Sequence, residues 1–165
     1  MKKLSDILIK TAQIISISMM IILTLSLFIG VIARYVFNIS IPELQVIRNF
    51  SIFWLVFTGS ALAIKEKAHL EIDIFSDYMS KKAIILKNRI VYILVLAAII
   101  ILIVIGIEAW QVGLSRRELV SVRFLESQPN LIYYYSSILI GSIFMLFFHL
   151  QLFKETFFKK RSADK

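Results

Sequence analysis

Four long hydrophobic runs dominate the sequence, and short polar segments separate them. The first run, residues 11–33, contains no ionisable side chain. A helix of about 20 apolar residues crosses the hydrocarbon core of a bilayer, which is roughly 30 Å thick. The pattern therefore predicts an all-α integral membrane protein, a single domain over residues 1–165 with four transmembrane helices at 11–33, 44–64, 88–108 and 131–153.

The second run is the least uniform, because its continuous apolar part covers only the fifteen residues 50–64. That length is too short to cross the membrane, so the span must begin near Leu44 and include Arg48. Arg48 lies sixteen residues before Ile64, or about 24 Å along a helix, which places it close to the membrane boundary. At that depth an arginine can reach the headgroups or contact another subunit, and we prefer both interpretations to a role in transport.

Two helix starts are indicated by polar residues. Ser40 and Glu43 have the Ser-x-x-Glu spacing of a capping box, and Pro42 fits the first turn of a helix, where an N–H has no partner. The second helix is therefore predicted to begin with Ser40 as its N-cap. The third helical pattern extends from a possible N-cap at Ser80 to about Arg117, so this helix would project beyond the bilayer.

Small residues four apart allow helix backbones to approach closely in lipid. Three such pairs occur in the spans, and Gly59 and Trp54 of the second span are interpreted as packing residues. The pairs are Ser26 with Gly30, Gly59 with Ala63, and Ser137 with Gly141.

Basic residues are distributed unequally between the two sides of the membrane. Fourteen Lys and Arg fall in the N-terminal tail, the 65–89 loop and the C-terminal tail. Cytoplasmic segments carry the excess of Lys and Arg, so both termini and this loop are predicted to be cytoplasmic. Segments 34–49 and 108–130 then face outward and hold the other five basic residues: Arg34, Arg48, Arg116, Arg117 and Arg123.

Composition agrees with a membrane location. Hydrophobic residues make up 59% of the chain and the mean hydropathy is +0.82, above the roughly half-apolar composition of soluble domains. The net charge is +8 at pH 7, yet the basic residues cluster at span ends instead of forming a stripe with exposed aromatic residues. We therefore expect contact with membrane lipid and no nucleic acid.

The sequence offers no candidate for a catalytic, cofactor, metal or substrate site. It has no cysteine, its five glycines form no phosphate-binding loop, and His69 and His149 are far apart. We interpret His149 as a packed or interfacial histidine. The spans are nearly free of charge, whereas a carrier places ionisable groups at the membrane midplane. The prediction is a helical scaffold that is not an enzyme.

A series of short motifs resembles one family in its order and spacing. These motifs are Arg34-Tyr35-Val36-Phe37-Asn38, Pro42, Trp54-Leu55-Val56-Phe57, Gly59, Ala61-Leu62-Ala63, and His69 with Asp73 four residues on. Together they resemble the small, DctQ-like membrane subunit of tripartite ATP-independent periplasmic (TRAP) transporters. The chain departs from the family at Glu43, Gln45 and Val46, where members often carry Trp and a Glu-Glu pair.

The resemblance implies a division of labour in a bacterial inner membrane. A periplasmic solute-binding protein would capture an organic acid of the C4-dicarboxylate or sialic acid class, and a large membrane subunit would carry it inward with sodium. The small subunit would pack against the large one. On this plan the candidate contacts to the subunit or binding protein are Arg34, Glu43, Arg48, Arg116, Arg117 and Arg123, while His69 and Asp73 would structure the cytoplasmic loop.

Two other functions are compatible with four short spans. A stand-alone small exporter would exchange protons for a cation at a membrane-buried carboxylate, and the first span has neither Asp nor Glu. An accessory subunit of a different membrane complex fits the hydrophobic pattern equally well, and only the order of the motifs disfavours it.

Overall fold

The computed structural model describes residues 2–66, 80–120 and 128–157. Within these residues the chain forms four α-helices, each long and apolar enough to cross a membrane, which confirms the predicted all-α architecture. The helices are α1 (Lys2–Tyr35), α2 (Glu43–Lys65), α3 (Lys81–Ser115) and α4 (Ile132–Phe157).

The helices pack in the order α1, α2, α4, α3, so α2 and α4 form the centre and α1 and α3 flank them. Consecutive helices run in opposite directions, and α2 and α4 are therefore parallel. We name the two ends of the bundle by their residues. The Arg34 end contains the end of α1, the start of α2, the end of α3 and the start of α4, and the Lys65 end is opposite.

The core lies between the two central helices and α3, toward the Lys65 end. It consists of Ala61 and Ile64 from α2, Ile99 from α3, and Met145 and Phe148 from α4, all at most 5% exposed. Small polar residues fill the rest of the helix interfaces, as is typical where helices associate in lipid. Within the described residues, six buried serine and threonine residues each donate a hydrogen bond inside the chain: Ser5, Ser26, Ser51, Thr58, Ser137 and Ser142.

Glycine permits the closest helix contacts. A Cβ added to Gly141 would lie 2.6 Å from the Cβ of Phe57 on α2, and one added to Gly113 would lie 2.8 Å from the Cα of Ile132. Real Cβ contacts do not occur at those distances, so a larger residue would push the backbones apart. The pair of Ser137 and Gly141 therefore lies where two helices approach closely, as its spacing predicts.

One narrow face of α1 contacts α2. Ala12, Ser26 and Ala33 on this face are buried, and the Ser16 and Thr58 hydroxyls are 2.8 Å apart. These four residues of α1 follow one another at spacings of four, ten and seven, which places them within about 100° of arc on one side of the helix. Most of the remaining surface of α1 consists of exposed large apolar side chains.

The predicted capping box at Ser40 is wrong. α2 begins at Glu43 with Pro42 in the N-cap position, and no side chain caps it. The first turn is closed instead by the backbone, because Leu44 N donates to Ile41 O (3.3 Å) and Gln45 N donates to Pro42 O (2.9 Å). Ser40 therefore lies outside the turn that it would have to cap.

The other helix ends agree better with the sequence. Ser80 is the N-cap of α3, as predicted, and its hydroxyl accepts a hydrogen bond from Ala83 N at 3.3 Å. α3 has 35 residues, or about 52 Å, and so projects beyond the bilayer. α1 begins at Lys2, nine residues before the predicted first span. Ser5 in this additional part of the helix is buried and donates to Gln151 Oε1 of α4 at 3.2 Å.

Candidate subunit interface

The predicted contact residues that the structure describes all lie at the Arg34 end, but in two groups. Arg34, Glu43 and Arg48 belong to the α1–α2 corner, whereas Arg116 and Arg117 follow α3. Since α1 and α3 lie on opposite flanks of the bundle, the two groups do not form one cluster. Arg123, His69 and Asp73 fall outside the described residues.

The α1–α2 corner is a tight turn. Arg34 lies exposed in the last turn of α1, where a cation is favoured by the helix dipole. Asn38 has a φ of 52°, in the left-handed region that asparagine tolerates better than most residues, and Ile39 N then donates to Ala33 O at 2.9 Å. Backbone conformation therefore explains the asparagine in this motif, because a left-handed residue at this position lets the chain reverse direction after α1.

An apolar groove of about 300 Å³ lies beside this turn. Phe37 of the motif lines it and is 64% exposed, while the neighbouring Tyr35 is 77% exposed. The remaining lining residues are all apolar: Phe28, Ile29, Ile32, Ala33, Ile39 and Ile41. In a membrane such a surface is suited to acyl chains or to another apolar helix.

Arg48 is half-buried on α2, and its side chain points back toward the Arg34 end. Its Nε donates to Leu44 O at 3.2 Å. Leu44 lies 21 residues before Lys65, or about 31 Å along the helix, so the guanidinium lies near the level where the hydrocarbon ends. Within the part of the chain that the structure describes, the two terminal nitrogens of this guanidinium have no hydrogen-bond partner.

Trp54 joins the two central helices. Its Nε1 donates to Tyr133 O at 3.0 Å. An aromatic layer surrounds this bond, with ring centroids 6.1–6.3 Å apart between Phe50, Phe53, Trp54, Tyr134 and Tyr135. The layer fixes the start of α4 against the middle of α2.

The α3–α4 corner is held by its backbone. Leu131 N donates to Arg116 O at 3.0 Å and Glu118 N donates to Pro129 O at 2.9 Å, around a bridge between Arg117 and Asn130. The Glu118 carboxylate also lies beside the Tyr134 hydroxyl, which brings this corner close to the aromatic layer. The side chains of Arg116 and Arg117 are exposed on the resulting ledge.

Gly59 has no close packing partner among the described residues. A Cβ built on it would meet no atom within 4 Å, in contrast to Gly106, Gly113 and Gly141. Among the described helices, Gly59 therefore does not make the close approach that its pairing with Ala63 predicts.

Two polar connections join helices at the Lys65 end, and no local sequence pattern predicts them. Gln151 Oε1 accepts hydrogen bonds from Ser5 Oγ and Lys65 Nζ at 3.2 and 3.3 Å, which joins three helices. His149 is 3% exposed and stacks on Tyr92, so it is packed, as its position suggested. Nothing in the sequence indicates its partner, because the two residues are 57 positions apart.

The described residues contain no group of three or more His, Cys, Asp or Glu side chains that could hold a metal ion. Their buried polar side chains are the six hydroxyl residues above and His149, without a single Asp, Glu, Lys or Arg. The fold and the described interior together define a multi-pass membrane protein in which the helices meet through packing residues.

Comparison with known proteins identifies the family. Residues 23–159 match the family described as Tripartite ATP-independent periplasmic transporters, DctQ component, and the chain belongs to this family. A protein of Haemophilus influenzae that carries the name of a TRAP transporter small permease protein is 30% identical over 74 residues. That alignment covers 45% of this chain and 46% of the relative. The chain is accordingly a component of a multi-pass transporter of the inner membrane.

Proposed function

We propose that this chain is the small, scaffolding permease subunit of a sodium-coupled importer of an organic acid of the C4-dicarboxylate or sialic acid class. A large membrane subunit would move the solute, and a periplasmic solute-binding protein would deliver it. The chain would enlarge the membrane-embedded body of the transporter and contribute a docking surface on its outer side.

The observation that carries this proposal is the interior of the bundle. Sodium and carboxylate ions are held in membranes by charged side chains, carbonyl groups of broken helices and helix termini at the midplane. Here the buried polar side chains of the described residues are hydroxyls and one histidine, and five of the six hydroxyls donate to a carbonyl of their own helix. This interior supports a scaffold and disfavours a proton-coupled exporter, which needs a buried carboxylate.

The arginine ledge supports docking on the outer side. Arg116 and Arg117 are exposed on a backbone-bridged corner, and Arg34 is exposed at the other flank of the same end. If the termini are cytoplasmic, as the charge distribution predicts, this end faces the periplasm. A basic, preorganised ledge suits an acidic patch on a soluble partner, since charge complementarity accelerates and orients association.

Reconstitution into liposomes tests the proposal. Vesicles that contain this chain and the large membrane subunit, with the binding protein added outside, should take up the labelled organic acid when sodium is higher outside. Vesicles that contain this chain alone should show no uptake with or without the binding protein. Sodium-dependent uptake by this chain alone would refute the scaffold assignment.

A further inference from the structure

We infer that one face of α2 is the surface on which a transmembrane helix of the large membrane subunit packs, and that this helix supplies a carboxylate to Arg48. The inference rests on the proposed function and names the contact surface within it. We call this surface the open face of α2. Its residues are Gln45, Arg48, Ile52, Val56, Gly59 and Ala63.

The open face is a single strip. At about 100° per residue its six positions fall within about 80° of arc on α2. α1 covers the side of α2 that carries Thr58, and α4 covers the side that carries Phe57 and Ala61. Between them Ile52 and Val56 remain 44% and 51% exposed, and Gly59 has open space above it.

The composition of this strip differs from that of the other exposed faces. On α1, residues 11–33 expose large apolar side chains and contain no charge, and residues 90–107 of α3 do the same. α2 is also the least hydrophobic of the four spans. Acyl chains require neither an arginine nor a glycine at the surface. A transmembrane helix can pack closely on the glycine and can pair with the arginine through an acidic side chain.

Two separate features identify the occupant. Gly59, with the small Ala63 one turn further on, allows a second backbone to approach closely, and none of the described helices approaches Gly59 in this way. Arg48 has terminal nitrogens without a hydrogen-bond partner among the described residues, near the level where the hydrocarbon ends. A carboxylate pairs with this planar guanidinium more specifically than water does.

Neither a second copy of the chain nor a lipid satisfies both features. Two copies inserted in the same orientation and packed through this face would place Arg48 opposite Arg48, and like charges repel. A lipid phosphate could pair with Arg48, but it would not explain the open space above Gly59. Gly59 lies eleven residues after Arg48, about 16 Å along the axis. The partner helix therefore carries a small residue and an Asp or Glu about 16 Å apart.

Co-purification of the large subunit with the affinity-tagged full chain tests this surface. We expect Gly59→Leu and Arg48→Glu to reduce the recovered large subunit by about tenfold or more, as for the central residues of other interfaces. Arg48→Lys should recover most of it. The matched controls are Ala98→Leu on the exposed face of α3 and Lys82→Glu, and both should leave recovery unchanged. Gly59→Leu should not lower the thermal stability of the isolated chain, because its side chain enters open space.

Crosslinking from single cysteines locates the contact directly, and the absence of native cysteine makes each site unique. With a maleimide photo-crosslinker, Val56→Cys should give a product with the large subunit, whereas Ile21→Cys on α1 and Val104→Cys on α3 should not. The inference would be overturned by crosslinks from Ile21→Cys or Val104→Cys without one from Val56→Cys. Full recovery of the large subunit with both Arg48→Glu and Gly59→Leu would overturn it as well. In either case the complex of the two subunits still forms. Failure of the unmodified chain to recover the large subunit would refute the proposed function instead.

Discussion

Tyr92 and His149 hold α3 and α4 together through each other's backbone. His149 Nε2 lies 3.1 Å from Tyr92 O, and the Tyr92 hydroxyl donates to His149 O at 3.4 Å, while the rings stack with centroids 4.1 Å apart. Because a carbonyl only accepts, the His149 ring must carry its hydrogen on Nε2 in this contact. The pair fixes the register of the two helices at the Lys65 end, opposite the bridged corner at Arg117.

His149→Phe should lower the thermal stability of the chain purified in detergent. The ring stack is retained but the hydrogen bond to Tyr92 O is lost, and interhelical hydrogen bonds in membrane proteins contribute about 0.6 kcal/mol on average and at most about 1.7. His149→Ala also removes the ring and should cost about 2–4 kcal/mol. The neighbouring Leu150 is exposed, so Leu150→Ala is the control and should change unfolding much less. Equal stability of all three variants would contradict the role given to this pair.

Gly141→Ala should destabilise the isolated chain, whereas Gly59→Ala should not. The new Cβ at position 141 meets Phe57 at 2.6 Å, and overpacking typically costs about 1–3 kcal/mol. At position 59 the Cβ meets nothing within 4 Å, and alanine is the better helix former by about 1 kcal/mol. Thermal unfolding of the two variants side by side checks the contrast. A reversed order of stability would mean that α2 and α4 do not meet at Gly141.

Asn38→Val should destabilise the α1–α2 turn, and Asn38→Gly should leave it intact. A β-branched residue in the left-handed region is strained, and the conformation costs roughly 1–2 kcal/mol for an ordinary residue, whereas glycine adopts it freely. Differential unfolding measures both substitutions, and Ser40→Val in the same loop is the control. If Asn38→Val and Ser40→Val behave alike, the positive φ is not what matters at this position.

The architecture was predictable because it depends on lengths and hydrophobicity that the sequence displays directly. The four helices, the cap at Ser80 and the projecting α3 follow from local patterns alone. The N-cap of α2 was placed wrongly at Ser40, because the capping-box spacing and Pro42 both fitted a start there, whereas the helix begins at Glu43 after a turn closed by the backbone.

The arrangement of the candidate interface was less predictable. That Arg48 and Gly59 share one face of α2 follows from helix geometry, but the sequence cannot show which faces α1 and α4 already cover. Ser5, Gln151 and Tyr92 have no special local context, and their roles arise from contacts between residues distant in the chain. The role of a hydroxyl or amide residue in an apolar span can be assigned only when its neighbours in the structure are known.

Tyr134→Phe should loosen the ledge that carries Arg116 and Arg117. The substitution removes the hydroxyl that lies beside the Glu118 carboxylate but retains the ring in the aromatic layer. Trypsin cleaves after arginine and requires locally unfolded chain, so cleavage in detergent should be faster than in the unmodified protein. Tyr133→Phe is the control, because the Tyr133 side chain is exposed and its carbonyl, which accepts from Trp54, is unchanged. Equal cleavage rates for both variants would show that Glu118 does not depend on Tyr134.

The orientation of the bundle can be tested with single cysteines in whole cells. Leu119 is 94% exposed at the α3–α4 corner, and Glu66 is exposed at the opposite end. The excess of Lys and Arg at the Lys65 end predicts that this end is cytoplasmic. A membrane-impermeant maleimide should therefore label Leu119→Cys in intact cells, and should label Glu66→Cys only after the membrane is opened. The reverse pattern would place Arg116 and Arg117 in the cytoplasm, and a docking surface for a periplasmic binding protein would then have to lie elsewhere.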